Sequence, residues 1–161
     1  MDVFAEHLGL PRSFVRQVVN ALKVAERIAS ARPVAPEVTP RAIARIALAL
    51  TAPSIRKAVE TERVLGSLGY VAGQGEINPE DEITDLIESS VGWRTRYDFN
   101  LRDGAIIVAH EDLVVTVGDS TFGAKGQKAV KAGGLSRFSR IKFSALAAIA
   151  RELLPNDRGV A

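Results

Sequence analysis

Five polar side chains near the start of the chain recur at helical spacing. They are Arg12, Ser13, Arg16, Gln17 and Asn20. Residues four positions apart lie on one face of a helix, so these side chains would project together. Arginine can donate two hydrogen bonds to guanine, glutamine and asparagine can pair in the same way with adenine, and serine near a helix start can hold a phosphate. The spacing indicates a nucleic-acid recognition face, for which the alternative is an ordinary solvated helix face.

The surrounding residues predict the elements that would position this face. Gly9 can take the positive φ that ends a helix, and Pro11 suits the first position of the next one. We therefore expect a short first helix, a tight turn, and a recognition helix over residues 13–28. The buried stripe of that helix comprises Val15, Val18, Val19 and Leu22. Ala5 is small enough to let the two helices cross closely, and Val15 would fill the angle between them.

The spacing of Ala5, Gly9 and Val15 resembles the helix-turn-helix of phage repressors and bacterial regulators, over about a seventh of the chain. The resemblance implies a sequence-specific double-stranded DNA-binding protein, most simply a transcription regulator, that reads the major groove as a dimer or larger homo-oligomer. The layout is also similar to that of phage small terminase subunits, which implies a ring-forming DNA-packaging component. A third hypothesis is a protein-interaction module in which the N-terminal helices act only as a scaffold.

Charge and composition restrict the class of protein. The 161 residues carry a net charge of only +2, yet residues 1–70 hold ten Lys/Arg against six Asp/Glu, and residues 71–104 hold three against eight. The most apolar run, 42–52, is short and contains Arg45, so no membrane span is expected. Cysteine is absent, which excludes disulfides and thiolate chemistry. We expect a soluble, cytoplasmic protein.

The usual catalytic residue sets are poorly supplied. His7 and His110 are the only histidines, and the run His110-Glu111-Asp112 falls in an expected turn, where adjacent side chains diverge. The acidic residues of 80–88 are expected on a helix surface, without His or Cys to complete a metal site. The sequence therefore predicts no enzyme, no cofactor and no metal.

Proline pairs and glycine runs predict the remaining helices. Residues 29–40 contain three prolines, which indicates a wing or a stiffened arm with Arg32 on a phosphate backbone or minor groove, or else a plain connection. Helices are expected to start at Thr39-Pro40, at Ser54 (continuing through Leu68), at Asn78-Pro79 and at Ser144. The glycines of 66–78 mark a boundary between a helix-turn-helix module, 1–70, and an oligomerisation or partner-binding domain, 71–161.

The second domain is expected to contain the strands. Residues 95–101, 105–110 and 113–119 alternate in hydrophobicity and predict an antiparallel hairpin or meander, anchored by Trp93, Tyr97 and Phe99. Residues 121–142 hold six Lys/Arg and no acid, which predicts a glycine-rich loop and then a short strand or turn. Candidate phosphate contacts there are Lys125, Lys128, Lys131, Arg137 and Arg140, with a merely solvated loop as the alternative. The fold class predicted is α+β, a helical module followed by a small domain with flanking helices.

Overall fold

The computed structural model describes residues 2–30, 36–71, 77–94, 103–124 and 137–155. The helices in these ranges are α1 (Asp2–Leu8), α2 (Arg12–Val24), α3 (Pro40–Leu50), α4 (Ala58–Gly66), α5 (Pro79–Ser90) and α6 (Phe143–Leu153). The strands are β1 (Gly69–Tyr70), β2 (Ala105–Ala109), β3 (Val114–Val117), β4 (Ser120–Gly123) and β5 (Phe138–Lys142). The α+β prediction is confirmed.

Two helix starts follow the predicted capping chemistry. Thr39 lies in extended conformation and its hydroxyl accepts the N–H of Ala42 at 3.1 Å, with Pro40 at the first helical position. Asn78 is also extended, and its side-chain amide oxygen Oδ1 accepts the N–H of Asp81 at 2.9 Å. Each cap satisfies one of the four N–H groups that a helix start leaves without an intrahelical partner.

The helix predicted for recognition is shorter than expected. It ends at Val24, not at residue 28, because Glu26 takes a positive φ of 56° that reverses the chain. The N–H of Arg27 then donates to the carbonyl of Leu22 at 2.9 Å. Ile28 is buried after this turn, so the pattern of buried apolar residues continues although the helix has ended.

Two other predicted helix starts are wrong. Ser54 precedes a 3₁₀ turn (Ile55–Lys57), and helix α4 begins only at Ala58 and ends at Gly66. Helix α6 begins at Phe143 rather than after Ser144, with Lys142 as its N-terminal flanking residue. The chain passes directly from strand β5, which ends at Lys142, into this helix. At the junction, the N–H of Phe143 donates to the carbonyl of Gly104 at 2.9 Å.

The strands form one antiparallel sheet in the order β1-β4-β3-β2-β5. The hairpin of β2 and β3 follows the predicted runs, and β5 is the short strand expected near residue 140. Strand β4 forms where a loop was predicted, and β1 lies within the expected domain boundary. The predicted strand 95–101 and its aromatic residues lie outside the described residues, whereas Trp93 packs half-buried against the core.

Helices from both sides of residue 70 contribute to one hydrophobic core. Helix α3 packs against α5, and α1 packs against α6. The inner face of the sheet adds Ile106, Val108, Val115, Phe122 and Ile141. The division into 1–70 and 71–161 stays a prediction about independent folding. Across the described residues, no helix is long and apolar enough to cross a membrane.

Candidate nucleic-acid interface

Helix α2 places its polar side chains opposite a buried apolar stripe, although Val24 at its C-terminal end is 86% exposed. The side chains predicted for recognition are all exposed: Arg12, Ser13, Arg16, Gln17 and Asn20. The opposite stripe of Val15, Val18, Val19 and Leu22 is at most 1% exposed. At a rise of about 1.5 Å per residue, the polar row from position 12 to position 20 is about 12 Å long.

The exposed face of α2 is positively charged. The helix contains Arg12, Arg16 and Lys23 and no acid. The Nε atom of Arg12 lies 3.8 Å from a carboxylate oxygen of Asp2, and both side chains are solvated, so this pair contributes little. Pro11 precedes the helix, and no side chain caps the first N–H groups. The helix dipole adds partial positive charge at the same end.

The turn between α1 and α2 has the geometry that the sequence predicted. Gly9 has a φ of +65°. The N–H of Leu10 donates to the carbonyl of Ala5 at 3.0 Å, and the N–H of Gly9 donates to Glu6 at 3.4 Å. This pair of bonds is the Schellman arrangement that ends many helices. Ala5 and Val15 are both buried where the two helices meet.

Two further helices support this pair. Helix α3 packs behind α2, as predicted, and α6 packs against α1. The ring Nε2 of His7 lies 2.5 Å from a carboxylate oxygen of Glu152, which joins α1 to α6 at the surface. The last helix of the described chain therefore supports the first, a contact that no local sequence pattern indicates.

A cluster of charged side chains, called here the charge cluster, holds the C-terminal end of α2. Its members are Arg27, Arg41, Arg45, Glu62, Glu80 and Asp81. Arg27 donates through Nε and Nη2 to both carboxylate oxygens of Glu62, each at 2.8 Å. Arg45 donates to Glu80 at 3.1 Å and to the carbonyl of Arg27. Arg41 reaches Glu80 at 3.3 Å and Asp81 at 2.7 Å.

The Glu62 side chain has no exposed surface, and its hydrogen bonds raise the pKa of Arg27. The charge cluster thus ties the residues after α2 to α3, α4 and α5. The sequence prediction that the acids of 80–88 lie on a helix surface is wrong, because Glu80, Glu82 and Asp85 are buried. The available signal was Arg45 within an apolar run, since a charge in a buried helix requires a partner.

Sequence reasoning also missed two cations beside α2. Arg56 and Lys57 are exposed on the 3₁₀ turn, and that turn packs against α2. The signal was a pair of cations at an expected helix start, where the helix dipole disfavours positive charge. Lys57 lines a cavity of about 280 Å³ together with Glu60 and Glu111.

The second basic stretch is described only at its end. Lys125, Lys128 and Lys131 lie outside the described residues, as does Arg32. The backbone N–H of Arg137 donates to Glu111 at 2.7 Å, and this bond lowers the pKa of Glu111. A cavity of about 220 Å³ lies between strand β5 and the turn that precedes α2. Arg140 lines this cavity and is exposed.

The ring of His110 contacts strand β5. Its Nε2 lies 2.8 Å from the hydroxyl of Ser139, a partner that the sequence did not indicate. Burial, and then the nearby charge of Arg137, lower the pKa of His110 and favour the neutral ring. Glu111 instead bonds to a backbone N–H, as described above. In the ranges that the structure describes, no three His, Asp or Glu side chains are placed to hold a metal ion.

A cavity of about 730 Å³ lies between the start of α3 and the outer face of α5. Side chains that line this cavity form ion pairs, Arg41 with Asp81 at 2.7 Å and Arg94 with Asp85 and Glu88. These pairs place Arg41 and Arg94 beside three of the carboxylates that the sequence placed in this region.

Comparison of the chain with protein-family models, with curated proteins and with solved structures found no match.

Proposed function

We propose that this chain is a sequence-specific double-stranded DNA-binding protein, most simply a transcription regulator, that reads the major groove with α2. The observation that supports the proposal is an acid-free helix, the second of two joined by a tight turn, with an exposed polar row made of Arg12, Ser13, Arg16, Gln17 and Asn20. The major groove is about 12 Å wide and accepts an α-helix. A row of about 12 Å would span roughly three to four base pairs.

Each exposed side chain has a role that fits its chemistry. Arg12 and Arg16 can each donate two hydrogen bonds to one guanine. Gln17 and Asn20 can pair in the same way with adenine. Ser13 lies at the helix start, where its hydroxyl and the N–H groups without a side-chain cap suit a phosphate oxygen. The proposal requires no cofactor and goes with a cytoplasmic location.

One such helix buries little surface, so we propose that the protein binds as a homo-oligomer. A single small DNA-binding module buries about 600–1,000 Å², whereas specific complexes often bury more. A two-fold dimer would place two α2 helices about 34 Å apart, one turn of DNA. The 71–161 part is the proposed site of oligomerisation or of a protein partner.

The experiment is selection of bound sequences from a random duplex library, followed by affinity measurements on the enriched site. The variant Arg16→Ala with Gln17→Ala should lose preference for that site over a scrambled one by at least about tenfold, because each bidentate base contact is worth about 1–3 kcal/mol. Arg151→Ala is the matched control, since Arg151 is exposed on α6 and its loss also removes one cation. Unchanged selectivity in the double variant would contradict the proposed reading face.

The same selection separates the remaining hypotheses. An enriched two-fold symmetric site with a dimeric protein favours a regulator. Salt-sensitive binding without an enriched site, by a ring of subunits, favours DNA packaging of the small-terminase kind. No binding to duplex DNA would refute the proposal and leave the protein-interaction module.

A further inference from the structure

Strand β5 presents a cationic edge to solvent. It lies at one end of the strand order and pairs with β2 on one side only within the described sheet. Its sequence, FSRIK, contains two cations and no acid. Phe138, Arg140 and Lys142 are exposed on one face, and Ile141 is buried on the other.

The inner face of β5 contacts the C-terminal end of α3, which packs against α2. The hydroxyl of Ser139 lies 2.8 Å from His110 Nε2 and 3.4 Å from the carbonyl of Thr51, the residue that ends α3. Successive side chains of a strand point to opposite faces. Fixing Ser139 and Ile141 inward therefore directs Arg140 outward at a defined position.

That position is beside the turn of the helix-turn-helix. Arg140 lines the cavity of about 220 Å³ together with Leu8 and Leu10, the residues on either side of Gly9. Leu10 precedes the first residue of α2 by only two positions. Residue 140, from the C-terminal half of the chain, thus borders the same cavity as the turn that precedes α2.

The positive charge of β5 favours DNA over a second copy of the chain as the partner of this edge. An antiparallel pairing of β5 with a second copy would bring arginine and lysine side chains of both strands together, and like charges on paired strands are destabilising. The DNA backbone is a polyanion and has the complementary charge. When a recognition helix lies in the major groove, the elements that precede it cross the adjacent backbone.

We infer that Arg140 binds a DNA phosphate that flanks the groove occupied by α2. The inference rests on the proposed function and makes the DNA-binding surface composite, with contributions from both ends of the chain. The competing interpretation is that cations on β5 only protect a sheet edge from self-association.

The test is the salt dependence of DNA affinity for Arg140→Gln. Loss of one phosphate contact reduces the slope of log affinity against log salt by about 0.9, so the deficit relative to the parent chain should shrink about 3.5-fold between 50 and 200 mM salt. The preference for the selected site over a scrambled one should stay unchanged, because phosphate contacts carry no sequence information. Arg140→Lys should restore the slope, since a phosphate requires only a cation.

Arg137→Gln is the matched control. It removes one cation just before the same strand, about 10 Å from position 140 at 3.3–3.4 Å per residue, where the side chain lies near His110 and Glu111. We expect a smaller change in slope for this control. Equal slopes for the parent chain, Arg140→Gln and Arg137→Gln would refute the inference alone, provided that Arg16→Ala with Gln17→Ala still alters selectivity. No binding by the parent chain would refute the proposed function and the inference together.

Discussion

Replacing Glu62 with glutamine should destabilise the protein by about 3 kcal/mol, since loss of one partner from a buried ion pair costs about 3–5 kcal/mol. The side chain is fully buried, accepts two hydrogen bonds of 2.8 Å from Arg27, and lies 3.8 Å from Arg45. Glutamine keeps one acceptor but directs an NH₂ group at a guanidinium. We choose the lower end of the range because the Arg27 side chain is 25% exposed and has Glu80 at 3.7 Å, so solvent and a second carboxylate recover part of the loss.

The assay is urea unfolding, with the slope of free energy against urea compared between variants to confirm that only stability changes. For a chain of this size about 3 kcal/mol corresponds to a fall in Tm of about 6–12 °C. Glu60→Gln is the control, because Glu60 is exposed on the same helix and its substitution should stay within about 0.5 kcal/mol. Equal losses for the two variants would show that the buried pair does not stabilise the end of α2.

Two further predictions concern the turn and the histidine. Gly9→Ala should lower the unfolding free energy by about 1–2 kcal/mol. An added Cβ meets no atom within 4 Å, so the penalty comes only from the positive φ of 65°. Gly9→Asn should cost less, and an unchanged stability of Gly9→Ala in chemical denaturation would contradict the turn geometry. The pKa of His110 is lowered in the folded protein, so below pH 6.5 the unfolded chain binds more protons than the folded one. The contribution of His110 to the unfolding free energy should therefore be fully present above pH 6.5 and be lost as the pH falls through the folded pKa. His110→Gln should flatten that fall, and an identical pH profile of Tm would refute the assignment.

Local chemistry predicted several elements from the sequence. Thr39 and Asn78 each combine a capping side chain with a following proline, and both helices begin where expected. Gly9 takes the positive φ that the turn required. The polar and apolar faces of α2 also followed from periodicity, because helical spacing depends only on neighbouring residues.

Long-range contacts account for the errors. Periodicity could not end α2 at Val24, because Ile28 continues the apolar pattern while Glu26 reverses the chain and Arg27 turns to Glu62. Glu80 was predicted on the surface because its arginine partner, Arg45, lies 35 residues earlier in the chain. The sequence did not distinguish Arg140 from the other cations of 121–142, because only the folded sheet brings this residue to the cavity beside the turn at Gly9.

The contacts of α1 explain why the proposed interface depends on the whole fold. Helix α1 has seven residues, too few for an isolated helix to be stable in water. Its Phe4 is 1% exposed, and α6 packs against the same helix and pairs with it through His7 and Glu152. The angle between α1 and α2, and with it the direction of the Arg12–Asn20 row, is therefore set partly by residues more than 130 positions further along the chain. For this reason the proposed reading face should be tested in the full chain.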